Sequence, residues 1–559
     1  MGLMTGLVSL VMYALGFYTG KESCRSGGTK FLLAAVLFIF LAEVSLLVSI
    51  LNNDFGFRYV ALYSDRTLPL IYKISVLWAG QSGALLTACV LISFFILIDI
   101  KLNKFSHIKY SSAVSFVNLL FVMIFLALSV FVVNPFVQLE FVPVNGRGLF
   151  PVLQNKYIFL YPLFTCFWAA GALMIFSHAV ATLALRDITP QWVRSTYGWV
   201  VFSWISVVVA VASRSIWTYE ISGSFWKWSI GETAGILSML SLVAFIYTSH
   251  AYTSRGRMKT GTFLCALLFF EAALFALYIV HSGQEVGITP FKYTFCGVYI
   301  VAAMFFFFVA YMLLLTYNRN LLYNSKLTVN KREYTFFKII NILFALVVFC
   351  IFFGLVLLIL SDIFMHPYGY KLVVAVTIGL FTVFFIIVPQ LYPFFDSGKG
   401  FLWKKRLKSP FTATFVGMLI IVTVAILSHL NKWNSEVALH SGELVKVNGI
   451  TIVDKWVSSA QRDNYVSTFV DISLSSDKKM IGNIQPEIRG YNNSGELIAD
   501  TDTVFYKLGV ISVAFLSYDF LSGKSVLFIM NRPFVLLMIP GILIFAFGIL
   551  WTAAGNRKC

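Results

Sequence analysis

"TFLCALLFFEAALFALYIV", residues 262–280, is apolar from end to end except for one acid, Glu271. A helix needs about 20 such residues to cross the roughly 30 Å hydrocarbon core of a bilayer. Runs like it recur along the whole 559-residue chain, which is 59% hydrophobic and only 12% charged. That balance excludes a soluble globular class. It predicts an all-α polytopic membrane protein with about 13 transmembrane helices. The spans fall near 3–20, 31–51, 80–99, 112–133, 160–183, 195–214, 233–252, 262–280, 295–317, 336–360, 371–392, 410–429 and 533–552. An odd number of spans puts the two termini on opposite sides.

Charge sets the expected orientation. Lys and Arg exceed Asp and Glu to give a net +17. The loops after the odd-numbered spans, with the C-terminal tail, hold about 23 of the 42 basic residues, in stretches such as "SRGRMK", "NKREY" and "KKRLK". The short loops of the other set hold about 8. The positive-inside rule makes the first set cytoplasmic, with the N-terminus outside and the C-terminus inside. The excess charge thus reads as membrane topology and contact with anionic lipid, not nucleic-acid binding. The first run lacks a basic region before it and an AxA-like site after it, so it reads as a retained helix and not a signal peptide. The 7 cysteines stand singly, with no CxxC or CxxCH, which indicates neither a redox pair, nor a zinc site, nor covalent haem on this chain.

One stretch breaks the helical pattern. Residues 430–532 alternate polar and apolar ("GITIV", "STFVDISLS") and carry turn signals such as "VNGI" and "YNNSGE". They predict a small β-rich extracytoplasmic domain. The expected organisation is a transmembrane domain over 1–429, this domain over 430–532, and a C-terminal anchor over 533–559.

"GSFWKWSIGETAG", residues 223–235, crowds Phe225, Trp226, Lys227 and Trp228 into one short outer loop, with Trp217 just before it and Glu232 just after. Two readings stay open on composition: an interfacial aromatic belt, or a platform where rings stack on a large flat anion and a cation meets its carboxylates. Glu43 and Glu271 lie inside apolar spans, where an ionisable group is costly and so suggests function, or is a protonated acid bonded to a neighbouring helix. His178 and His250 lie near cytoplasmic helix ends and His281 at an outer one. Solitary histidines like these read as surface residues before ligands.

Long blocks then suggest a family. "NDFGFRYVALYSDRTLPLIYKISVLWAGQSGALL" (53–86), "NPFVQLEFVPVNGRGLFPVLQN" (134–155), "GSFWKWSIGE" (223–232) and "NRPFVLLMIPGILIFAFGIL" (531–550) occur in order. Together they resemble the CcmF family of cytochrome c haem lyases and its nitrite-reductase-associated relatives, nearly end to end. The resemblance implies an inner-membrane protein whose tryptophan-rich loop holds haem delivered by a membrane-tethered haem chaperone. Two outer histidines ligate that haem, and two membrane histidines ligate a separate haem b. The product is a thioether bond between haem vinyls and the CxxCH thiols of an apocytochrome c, made together with other maturation subunits.

The chain departs from that pattern at the ligands. Trp226, Trp228 and Glu232 are kept, but Ser229-Ile230 replaces an Asp-Pro. Tyr161-Pro162 stands where the first outer histidine precedes proline. The second outer histidine falls near Thr289, and His281 stands in for an arginine. The membrane histidines align with Tyr247, one turn from His250, and with a position near Phe415 in "TATFVG"; a further outer-segment histidine is Tyr63. Three accounts are open: a tyrosine such as Tyr161 or Tyr247 ligates ferric haem; His250 and His281 serve from shifted positions; or haem b has been lost. The expectation is a haem lyase-like protein that handles the delivered haem, with Tyr161 and His250 as candidate iron ligands, and without the standard haem b pair. A transporter or flippase of another amphipathic molecule, and a non-catalytic assembly scaffold, are the alternatives.

Overall fold

The computed structural model describes residues 1–103, 106–222, 230–256, 258–282, 296–323, 410–476, 479–492, 495–519 and 521–558. The described helices run α1 Gly2–Thr19, α2 Glu22–Leu51, α3 Arg58–Tyr63, α4 Leu70–Ala79, α5 Gln81–Leu102, α6 Ile108–Phe131, α7 Lys156–Leu185, α8 Gln191–Ser195 and α9 Tyr197–Ser222. After them come α10 Ile230–Arg255, α11 Lys259–Ser282, α12 Cys296–Tyr317, α13 Arg319–Tyr323, α14 Pro410–Leu430 and α15 Met538–Lys558. Eleven of these are long and apolar enough to cross a membrane. Each coincides with an expected span. The remaining two, 336–360 and 371–392, lie outside the described residues.

Among the described helices α11 is the most enclosed, with Phe263, Phe269 and Phe270 fully buried against its neighbours. The outward faces of α1, α2, α12, α14 and α15 carry exposed Leu7, Leu37, Phe305, Leu419 and Leu543. In water such a surface would be a defect; against lipid tails, which are as apolar as leucine, it is the natural exterior.

Hydropathy alone did not anticipate α4. Gly80 is extended between α4 and α5, so the chain enters as two helices instead of one. Tyr59 bridges the break: its hydroxyl donates to the Val76 carbonyl (2.5 Å) and accepts from the Gly80 amide (3.2 Å). A break in apolar surroundings leaves backbone groups that need such partners. Glu43 on α2 joins here too, accepting from Thr87 (2.5 Å), while its other carboxylate oxygen has no partner among the described residues.

The β region has nine antiparallel strands: β1 Trp433–His440, β2 Leu444–Val447, β3 Ile450–Gln461, β4 Tyr465–Ser476, β5 Lys479–Ile484, β6 Glu487–Tyr491, β7 Leu497–Tyr506, β8 Gly509–Asp519 and β9 Lys524–Arg532. Their order is β1-β9-β8-β7-β6-β4-β3-β2, with β5 paired to β4, and the sheet curls like a barrel until β1 and β2 touch. Alternate residues fill its core: Val470, Ile472 and Leu474 from β4, Ile511, Val513 and Phe515 from β8. The "VNGI" signal is a two-residue hairpin turn, with Asn448 and Gly449 both at positive φ and Val447 paired to Ile450.

Hydrogen bonds sort the loops into two ends. At one end the segment after α2 meets the segment before α7, through Arg58 N to Val137 O (2.8 Å) and Arg147 N to Ala61 O (2.7 Å). The β region sits at the same end, where Thr501 donates to the Glu220 carbonyl (2.8 Å), Tyr219 hydrogen-bonds Ser512, and Asn464 donates to Gln154 (2.5 Å). At the other end Asp99 Oδ1 accepts from Trp199 Nε1 (2.7 Å), from His178 Nε2 (3.1 Å) and from Asn103 (3.0 Å). His178 Nδ1 takes the Tyr110 hydroxyl at 2.8 Å. The expectation that His178 is a surface residue is therefore corrected. It is fully buried, because both ring nitrogens find partners on neighbouring helices and the cost of burying a polar ring is met.

Candidate functional site

α7 and α9 pack along their length, and at the end that carries the β region they converge with the start of α10. Arg214 and Trp217 are three residues apart on α9 and so share a face. The Arg214 guanidinium lies 5.0 Å from the Tyr161 ring centre on α7 and 5.5 Å from that of Trp217. Arg214 is only 5% exposed. A guanidinium over two electron-rich rings keeps its charge with little water. The Trp217 indole donates to the Val152 carbonyl (3.2 Å), in the one-turn 3-10 helix Pro151–Leu153.

Glu232 sits in the first turn of α10 and is buried, accepting from Thr218 of α9 (2.9 Å). The start of a helix favours a carboxylate there. Asn155 caps α7 by accepting from the Tyr157 amide (2.9 Å) and donates to Glu220 of α9 (2.5 Å). Arg214 and Trp217 on α9 and Glu232 on α10 thus lie on the two helices that flank residues 223–229 in sequence, with Tyr161 of α7 against Arg214. Phe225, Trp226, Lys227 and Trp228 themselves lie outside the described residues, as does the side chain of His281. Arg214 was missed from the sequence because the expected span ended on it, which made it look like a charge at a helix end.

A second group lies between α10, α14 and α15. Tyr247 hydrogen-bonds Thr414 of α14, and His250, one turn on, has its ring beside Gly555 of α15, where a Cβ would stand 3.1 Å from His250 Cε1. α14 and α15 touch backbone to backbone: a Cβ on Gly417 would stand 2.4 Å from Phe545 N, and one on Gly548 would stand 2.6 Å from Thr414 N. The residues here do not fit a bis-histidine haem. Among the described histidines, His107, His429 and His440 are exposed and His178 is engaged at both nitrogens, which leaves His250 with no opposing imidazole.

No family model matches the chain. It is 27% identical over 285 residues to the cytochrome c-type biogenesis protein ccl1 of Rhodobacter capsulatus, covering 51% of this chain and 44% of that protein. It is 26% identical over 276 residues to CcmF of Escherichia coli, covering 48% and 43%, and 27% identical over 282 residues to NrfE of Haemophilus influenzae, covering 50% and 44%. The aligned part thus spans less than half the length of these relatives. A solved structure of the cytochrome c haem lyase CcmF superposes with a TM-score of 0.66 at 18% identity, over 99% of this chain and 96% of that one. The fold is shared nearly throughout. The class is a multi-pass membrane protein with an antiparallel β region at one end of its helices. Within it, the chain is similar over about half its length to cytochrome c-type biogenesis proteins named CcmF and NrfE, and it shares the fold of the haem lyase CcmF.

Proposed function

We propose that this protein is the membrane subunit of cytochrome c maturation that takes haem from a haem chaperone and attaches it to the CxxCH thiols of an apocytochrome c. The observation that supports the reading is the Arg214–Tyr161–Trp217 cluster, with the Thr218–Glu232 hydrogen bond joining α9 to α10, the helices on either side of the tryptophan-rich stretch in sequence. In this reading haem is the substrate. Rings from Trp217, Phe225, Trp226 and Trp228 cover its faces, and Arg214 and Lys227 meet its propionates. Tyr161 and His281 stand near the iron from the outer side. Attachment adds each S–H across a vinyl group: the S–H bond and the vinyl π bond break, C–S and C–H bonds form, and no external oxidant is consumed. Tyr247 and His250 are assigned no resident haem.

Changing Trp226 and Trp228 together to alanine is expected to lower holocytochrome yield several-fold with the protein at normal levels in the membrane, since aromatic pairs contribute about 0.5–1.5 kcal/mol each. An unchanged yield would count against haem handling here. The proposed orientation has the N-terminus and β region outside and the C-terminus inside. A reporter fused after residue 559 is expected to be active only in a cytoplasmic form; periplasmic activity would reverse the map.

A further inference from the structure

The turn between β7 and β8 reaches the edge of the bilayer. The Leu508 carbonyl accepts from the Leu536 amide (3.2 Å). Leu536 lies in the one-turn 3-10 helix Val535–Leu537, which leads into α15 and packs against α14. The apolar span that includes it, Val535–Gly555, is 21 residues long. At about 1.5 Å per residue it rises roughly 31 Å, close to the thickness of the hydrocarbon core. Arg557 and Lys558 follow at its far end, where cations meet the headgroups. A span of this length has no slack. Leu536, its second residue, therefore sits within about 3 Å of the hydrocarbon edge, and the hydrogen bond brings Leu508 there with it.

The side chains at this tip suit that depth. Phe505 is 70% exposed and Leu508 49%. Lys507 stands between them, also exposed, with its ammonium 5.1 Å from the Tyr506 ring centre. The tip continues the apolar exterior of the neighbouring helices, where Leu430 at the end of α14 and Ile539 and Leu543 on α15 are exposed too. Large apolar residues beside a lysine are the pattern of a segment that lies in the boundary between headgroups and acyl chains. The lysine stem runs along the tails while its ammonium reaches a phosphate. Leu521, wholly exposed in the β8–β9 turn, offers a contrast. β1, β8 and β9 each have one end at the helices, and this turn lies at the opposite end, an 11-residue strand away. That length is about 35 Å.

We infer that the β7–β8 tip is a lipid-binding wedge: Phe505 and Leu508 lie among the acyl chains of the leaflet on the side of the β region, and Lys507 holds a lipid phosphate. The occupant is phospholipid and not a protein, because the bond to Leu536 sets the tip at the depth of the acyl chains. β7 is then pinned twice, by lipid at its tip and by the Glu220 carbonyl of α9 at Thr501, which fixes the β region against the end of α9. The inference stands apart from the function proposed above. Its test uses the full chain in nanodiscs of phosphatidylethanolamine and phosphatidylglycerol. A photoreactive residue is introduced as Phe505→p-benzoylphenylalanine or Leu508→p-benzoylphenylalanine, with Leu521→p-benzoylphenylalanine as the control. All three side chains are exposed, so the replacements leave the core alone. After irradiation, mass spectrometry is expected to find phospholipid adducts at 505 and 508 in about tenfold the yield at 521. Equal lipid yields at all three positions, or adducts at 505 and 508 that join another segment of the chain, overturn the wedge. Lys507→Glu in the Phe505 variant is expected to lower the ratio of phosphatidylglycerol to phosphatidylethanolamine adducts about fivefold. An unchanged ratio overturns the phosphate contact.

Discussion

Arg214→Met is expected to lower holocytochrome yield and haem co-purification about ten- to hundredfold, with the protein still in the membrane. Methionine keeps an unbranched apolar stem between the Tyr161 and Trp217 rings, so packing changes little. What disappears is the charge. A hydrogen bond to a charged group is worth roughly 1.5–3 kcal/mol, and each 1.4 kcal/mol is about a factor of ten in affinity. Arg214→Lys should restore part of the loss, because it returns the charge without the planar fork that meets a carboxylate with two bonds. Wild-type yield from Arg214→Met would remove this residue from haem handling. Equal loss in Met and Lys variants, together with lowered protein levels, would mark a structural role instead.

The detergent-purified protein, reduced with dithionite, is expected to lack the sharp α-band of a low-spin, bis-histidine haem b. Such a haem needs two imidazoles facing each other across helices. α10 offers His250, but α14 presents Thr414 to α10, already bonded to Tyr247. The one histidine of α14 is His429, 15 residues beyond Thr414, at roughly 1.5 Å per residue and therefore about 22 Å away. The glycine contacts that bring α14 and α15 together leave no slot for a macrocycle between those two helices. A reduced α-band that survives His250→Ala would overturn this conclusion, and one that His250→Ala abolishes would place a ligand one turn from Tyr247.

Hydropathy revealed most of the helices because lipid and core both demand apolar residues, so each crossing writes a long uniform run. The β region was legible for a different reason: its alternation has period two, and Asn448-Gly449 announces a tight turn. α4 was hidden because its apolar run merges with that of α5, and only the extended backbone at Gly80 and the Tyr59 hydroxyl divide them. Trp217, Tyr161 and Glu232 were singled out as candidates from composition and resemblance. Arg214 was not, since a lone arginine at the margin of an apolar run looks like a loop charge. The burial of His178 depends on Asp99, 79 residues earlier, and on Tyr110, 68 residues earlier. No local pattern links positions so far apart, and only packing brings them together.

The Asp99 carboxylate has a consequence for biosynthesis. Its indole partner, Trp199, is made 100 residues later. At about 5–20 residues per second, the ribosome needs about 5–20 s to deliver it. During that interval α5 exists without the donors from α7 and α9 that later surround the acid. The carboxylate must meanwhile stay hydrated at the membrane edge or inside the insertion machinery, because alone in hydrocarbon it would cost several kcal/mol. Placement near the end of α5, three residues before Leu102, makes that waiting position reachable. The helix can therefore enter with its acid still at the membrane edge, first beside Asn103, then beside His178, and complete the acid's hydrogen bonds only when the ninth helix brings Trp199.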